Sequence, residues 1–145
     1  MKNRIITIGI ALVMAAGYSA CKKDEVKPAS ANTQASSDPM TSGTWKVARY
    51  EVNGVEHTNI YTPYALAFRS YGNLEASGSG KKVNGTWSAN AVDGGEGMQL
   101  DFGTNDPFSL LNSAAWKVVS KTATKVEMKG KRGDDGEHSL TLMKN

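Results

Sequence analysis

Few side chains in this 145-residue sequence could do chemistry. Its two histidines are His57 and His138, with Glu56 beside the first and Asp134, Asp135 and Glu137 ahead of the second. Imidazoles and carboxylates together can move protons or ligate a metal. The run Asp134-Asp135-Gly136-Glu137-His138 lacks the ligand spacing of a calcium loop or a zinc motif, so it reads as a solvated polar hairpin and no metal is expected. Gly78-Ser79-Gly80-Lys81 is not a phosphate loop, because the leading Gly and the following Ser or Thr are missing. No serine occupies a nucleophile elbow. The triplet Arg132-Gly133-Asp134 has the composition of an adhesion sequence and equally that of a turn. A protein that is not an enzyme and needs no cofactor is the expectation.

The remaining reactive group is Cys21, the chain's single cysteine. Ahead of it stand Lys2 and Arg4, then an apolar run from Ile5 to Gly17, then Tyr18-Ser19-Ala20. A basic start, an apolar stretch too short to remain in a bilayer and small residues form an export signal. The junction Tyr18-Ser19-Ala20-Cys21 resembles the lipobox of bacterial lipoproteins, with Tyr18 in place of the usual Leu. The resemblance implies cleavage after residue 20 and acylation of Cys21, which would anchor the chain in a membrane. Lys22-Lys23-Asp24-Glu25 resembles the surface-export tags of some Gram-negative outer-membrane lipoproteins, and is also an ordinary solvated charge run. An outer-membrane, lipid-anchored location with exposure at the cell surface is the implied destination.

Residues 22–42 are rich in Ser, Ala, Thr, Asn and Pro and carry no periodic apolar face, so 21–42 is expected to be the lipidated Cys and a flexible linker. Its typical span is about 25 Å. Seventeen basic residues face fourteen acidic ones, and losing Lys2 and Arg4 with the signal nearly balances them. No basic stripe with interleaved aromatics is present, so nucleic acid is not an expected partner.

Residues 43–145 are enough for one domain with a single core. Here apolar residues alternate at period two: Tyr64, Leu66 and Phe68; Val83 and Trp87; Met98, Leu100 and Phe102; Trp116 and Val118; Val126 and Met128; Leu140 and Leu142. This is the pattern of half-buried strands at spacings too short for crossover helices. Eight strands are expected, near 44–53, 64–69, 73–78, 82–88, 98–103, 115–121, 125–130 and 138–143. The apolar phase flips between Val47 and Ala48, which predicts a bulge. Between the fifth and sixth strands, Asp106 as N-cap, Pro107 at the first position and an apolar side of Phe108, Leu110 and Leu111 predict a short helix.

Sequential antiparallel strands with short connections close most simply into an all-β, eight-stranded up-and-down barrel. The Gly-x-Trp of Gly43 to Trp45 on the first strand resembles the calycin signature of lipocalins, fatty-acid-binding proteins and avidins. The order of Gly43-Thr44-Trp45, Tyr50 to Gly54, Gly85-Thr86-Trp87, Pro107 to Leu111, Ala115 to Val119 and a last strand at Leu140 to Lys144 is similar to small bacterial lipocalin-like domains behind lipoprotein signals. Lipocalins carry a basic residue over the first-strand Trp, and Lys144 alone is placed for that. The C-terminal helix and the disulfides of lipocalins are missing.

The up-and-down order sends the connections 54–63, 79–81, 104–114 and 131–137 to the end distal to the linker. Any binding site is expected there, formed from His57, Tyr61, Tyr64, Phe108, Leu111 and Trp116, with Tyr61 and Tyr64 exposed. Trp45 and Trp87 are expected to close the opposite end. The resemblance implies a binding lipoprotein that holds a small hydrophobic ligand in the distal barrel mouth. The alternative is a filled barrel that acts as a protein- or glycan-interaction module, an inhibitor or accessory subunit at the cell envelope.

Overall fold

Alternation at period two becomes a continuous antiparallel ladder. In the computed structural model, which describes residues 38–145 with 113 and 114 as backbone only, the strands are β1 (Trp45–Val52), β2 (Val55–Glu56), β3 (Tyr64–Phe68), β4 (Asn73–Gly78), β5 (Lys81–Val92), β6 (Gly95–Asp101), β7 (Ser113–Lys121), β8 (Lys125–Lys131) and β9 (Glu137–Lys144). The signal segment, Cys21 and the linker up to residue 37 lie outside the described residues. The sheet order is β2-β1-β3-β4-β5-β6-β7-β8-β9, and β1 also pairs with β9. That last pairing, from Trp45 opposite Lys144 to Val52 opposite His138, closes eight strands into an up-and-down barrel. The ninth strand, β2, is a two-residue flap on β1, turned by Asn53 and Gly54 in the left-handed region. We call the end where the chain enters β1 proximal and the opposite end distal.

The phase flip in β1 is a bulge, since its register against β9 shifts between Val47 and Arg49. Trp45, Val47 and Tyr50 consequently all face the interior. The strands expected to end near 88 and to begin near 98 instead continue as a paired ribbon of β5 and β6 to a tight turn at Asp93 and Gly94. Ala89, Asn90 and Ala91 are exposed, so this ribbon projects without an apolar face to betray it.

The expected helix is a single 3-10 turn, Phe108–Leu111. Pro107 precedes it through a cis peptide bond from Asp106 and is not its first helical residue. Nor is Asp106 the N-cap: Pro107 holds that position without a side-chain cap, and the Asp106 carboxylate accepts the Ser109 hydroxyl instead. In so short a turn only Phe108 and Leu111 reach the core, and Leu110, expected on the apolar side, is 38% exposed.

The boundary expected at Gly43 falls a few residues late. Pro39–Thr41 form another 3-10 turn, capped by the Asp38 carboxylate accepting the Met40 N–H at 3.0 Å. Met40 is fully buried and belongs to the barrel core. The interior is filled by large side chains, with Trp45, Trp116, Tyr50, Tyr61, Phe68, Phe102 and Phe108 all shielded from solvent.

Candidate functional site

At the distal end the chain's aromatic residues meet the 108–111 turn. Phe108 contacts Tyr64 edge-on at 4.9 Å between ring centroids, Phe102 at 4.9 Å and Tyr61 at 5.9 Å. Three side chains then donate to the carbonyls of this segment: Tyr61 Oη to Pro107 at 3.0 Å, Tyr50 Oη to Leu110 at 3.0 Å and Trp116 Nε1 to Leu111 at 2.9 Å. Within the segment the Pro107 and Ser109 carbonyls accept backbone N–H groups, from Leu110 and Asn112 at 3.2 Å, and aromatic side chains that supply both area and a polar tip hold the turn in place. The segment is a cork across the distal mouth.

Beside the cork lies an open cleft of about 290 Å³, lined by Tyr50, Val52, His57, Leu110, Arg132, Asp135 and His138. Its far wall is the 132–138 segment, which Asn53 secures: Asn53 Nδ2 donates to the Asp135 carbonyl at 2.8 Å, and the Glu137 N–H donates to Asn53 Oδ1 at 3.0 Å. The near wall is held because the His57 N–H donates to the Tyr50 carbonyl at 2.8 Å and Thr58 Oγ1 accepts the Tyr50 N–H at 2.9 Å.

The floor is a hydrogen-bonded pair. Tyr50 Oη lies 3.0 Å from His138 Nδ1. A phenol has one proton, and Tyr50 gives it to the Leu110 carbonyl, so Nδ1 must carry the proton it shares with Tyr50. His138 Nε2 is then a bare acceptor, buried and without a hydrogen-bond partner among the described residues. Burial of His138, only 4% exposed, pushes its pKa below the ordinary imidazole value; the Arg132 guanidinium adds to this and Asp135 opposes it. Burial also raises the Tyr50 and Tyr61 phenols, and Tyr50 beside it raises Tyr61 further. The network is thus neutral near pH 7.

Of the residues singled out from the sequence, His57 lines the cleft, exposed and with its ring 6.4 Å from Tyr50. Tyr61 is not exposed as expected: it is 1% accessible, because its ring is needed under the cork. Tyr64 is half-buried against Phe108. Phe108, Leu111 and Trp116 are fully buried. His57 and His138 both approach Tyr50, at 6.4 and 5.9 Å; among the described residues no group of three or more His, Cys, Asp or Glu is placed to hold a metal. Tyr50, Leu110 and Arg132 line the cleft but were not among the residues expected at the distal site. The bulge that turns Tyr50 inward was legible, but its hydrogen-bond partners come from residues 110 and 138, which no local pattern connects to it.

The proximal end has its own cork. Trp45 Nε1 donates to the Met40 carbonyl at 3.0 Å, and Lys144 Nζ lies 6.0 Å from the Trp45 ring centroid while donating to Ser42 Oγ at 3.2 Å. Trp87 is half-buried, packs edge-on against Phe68 at 5.5 Å and donates to the Arg69 carbonyl at 2.9 Å in the proximal β3–β4 connection.

No protein-family model matches the chain, and no curated protein matches it. A crystal structure of a DUF4847 family protein from Bacteroides vulgatus is similar, with a TM-score of 0.51 and 17% sequence identity over 73% of this chain and 94% of that one. At this identity the likeness is one of fold.

Proposed function

We propose that the protein is a lipid-anchored binding module of the bacterial cell envelope, whose filled barrel is a rigid scaffold for a recognition surface at the distal end. The observation that carries this reading is the pair of corks. Met40 over Trp45 and the 108–111 turn over Trp116, Tyr50 and Tyr61 occupy both mouths, with Met40, Phe108 and Leu111 fully buried. A hydrophobic ligand inside the barrel would have to displace them. The cleft beside Leu110 is outside the core, apolar along Val52 and Leu110, and bordered by His57, Arg132 and Asp135. That mixture suits an apolar group with a polar edge, offered by a protein partner or a small molecule. Its histidines sit in a binding surface, and the reading assigns the chain no catalysis.

The anchor rests on the sequence: the lipobox-like Tyr18-Ser19-Ala20-Cys21 would tether the domain to the outer membrane, with the distal end facing away from it. Two measurements test the proposal. Cells fed labelled acyl precursor should label the protein, and Cys21→Ser should abolish both label and membrane sedimentation. A photo-crosslinker at Leu110 should capture one discrete envelope partner or ligand, and one at Val119, exposed on the outer wall, should not. Non-covalent lipid released from the purified protein on denaturation would instead return the barrel interior to the role of ligand carrier.

A further inference from the structure

The β3–β4 connection holds a residue that folding alone does not account for. Tyr71 sits in the turn Ser70–Gly72 with φ 63° and ψ 21°, a left-handed conformation that is unfavourable for a bulky side chain. Its side chain is fully exposed, at 101% of the reference area, so no burial offsets that strain. Asn or Gly would fit the backbone better.

The turn is nevertheless held firmly. Trp87 Nε1 donates to the Arg69 carbonyl at 2.9 Å, and the Arg69 N–H donates to the Asn73 carbonyl at 2.8 Å. A Cβ on Gly72 would lie 2.8 Å from the Trp87 carbonyl oxygen, so the turn rests directly on β5. The Tyr71 ring is therefore presented on a rigid support, which reduces the ordering cost of using it.

Tyr71 borders a cleft of about 300 Å³ whose lining includes Gly72, Thr86, Trp87, Ser88, Gln99 and Asp101. Its floor is the outer face of two paired strands, with Thr86 opposite Asp101 and Ser88 opposite Gln99. The side chains of Thr86, Ser88 and Gln99 are exposed and make no hydrogen bond among the described residues, and Asp101 uses Oδ1 for the Gly103 N–H at 2.7 Å. One exposed aromatic face thus stands beside two hydroxyls, an amide and a carboxylate.

This chemistry selects a ligand. Among the described residues no Lys or Arg lines the cleft, and Asp101 repels anions, which disfavours phosphates, nucleic acids and acidic sugars. A hydrocarbon would desolvate the four polar side chains without giving them partners. β4 pairs with β5 only from Lys81 to Thr86, so past Thr86 the β5 edge is open; a peptide strand added there would bond through the β5 backbone and leave the Thr86, Ser88, Gln99 and Asp101 side chains without partners. A molecule with an apolar C–H face and a rim of hydroxyls satisfies both halves of the site. We infer that this cleft binds a neutral carbohydrate, one pyranose ring stacking on Tyr71 while its hydroxyls bond to Thr86, Ser88, Gln99 and Asp101. The site is separate from the distal cleft and stands or falls independently of it.

The test is a titration of the purified protein, followed by ¹H–¹⁵N NMR, with maltotetraose, cellotetraose, mannotetraose and N-acetylglucosamine tetramer. At least one should produce saturable shifts at Tyr71, Thr86, Ser88 and Gln99, with His57 and Leu110 unmoved. Tyr71→Ala should weaken that binding by about fivefold or more, Tyr71→Phe should retain it, and Gln99→Leu should weaken it. The melting temperature of Tyr71→Ala should stay level or rise. Absence of saturable shifts with all four sugars, shifts confined to other surfaces, or full binding by Tyr71→Ala would overturn the inference. So would tighter binding of a sulfated or uronic oligosaccharide than of any neutral one.

Discussion

The indole of Trp116 donates its N–H to the carbonyl of Leu111, five residues earlier, at 2.9 Å. Trp45 does the same to Met40, also five residues earlier, at 3.0 Å. In both cases a 3-10 turn lies across one barrel mouth, and the tryptophan in the strand that follows binds it from inside. The two ends of the barrel are built on one plan.

Replacing either indole by phenyl keeps most of the packing and strands a buried carbonyl. Trp116→Phe and Trp45→Phe should each lower stability by about 1–3 kcal/mol, measured by urea denaturation. Because the two corks sit at opposite ends, the double variant should lose close to the sum of the single losses. Strong coupling between them would mean that the ends are not independent.

The Tyr50–His138 pair predicts a pH dependence. A histidine whose folded pKa is lowered binds fewer protons in the native state than in the unfolded one. The stability it contributes is fully present above the unfolded value, about 6.5, and declines as pH falls from there toward the folded pKa. Arg132, Asp135, Tyr50 and His57 are the groups facing this site. Urea midpoints should fall between about pH 7 and pH 5, and His138→Gln should remove much of that slope. An unchanged slope in the variant would exclude His138 as its source.

Lys121 ties the incoming chain to the barrel. Its Nζ lies 3.0 Å from Asp38 Oδ2 and 2.6 Å from Glu96 Oε1. Burial alone would lower its pKa, but the two carboxylate hydrogen bonds prevail and raise it. Lys121→Met should cost about 1 kcal/mol and make the Asp38–Ser42 segment cleavable by protease. Resistance equal to the parent would show that Met40 alone holds the segment.

The two Gly-Thr-Trp motifs need their glycines for different reasons. Gly43 has φ +76°, a left-handed turn into β1. Gly85 has no such angle; a Cβ there would fall 2.4 Å from the Asp101 carbonyl oxygen and 2.8 Å from Phe102 Cδ1. Gly85→Ala should therefore destabilise by about 1–3 kcal/mol through overpacking, read by thermal denaturation. Gly80→Ala differs in kind, since nothing lies within 4 Å of that position and only its φ of +70° is at issue.

The eight barrel strands, their antiparallel order, the bulge after Val47 and the inward set from Leu66 to Leu142 follow from period-two alternation and turn residues, which act over a few neighbours and can be read along the chain, whereas the two-residue β2 within the expected 54–63 connection does not. The ribbon through Asn90 escaped that reading because exposed small residues carry no phase. Tyr61, Met40 and Leu110 escaped it for another reason. Whether an aromatic or aliphatic residue in a connection is buried depends on what the barrel mouth must cover, and that is set only when distant strands close. The partnership of Tyr50 with Leu110 and His138, and that of Tyr71 with Gln99 and Asp101, join residues whose nearness comes from barrel closure and from strand register. Local sequence determined the strands and the turns. The tertiary structure decided which side chains became corks and which were left at the surface, because burial and hydrogen-bond partnership belong to the closed barrel as a whole.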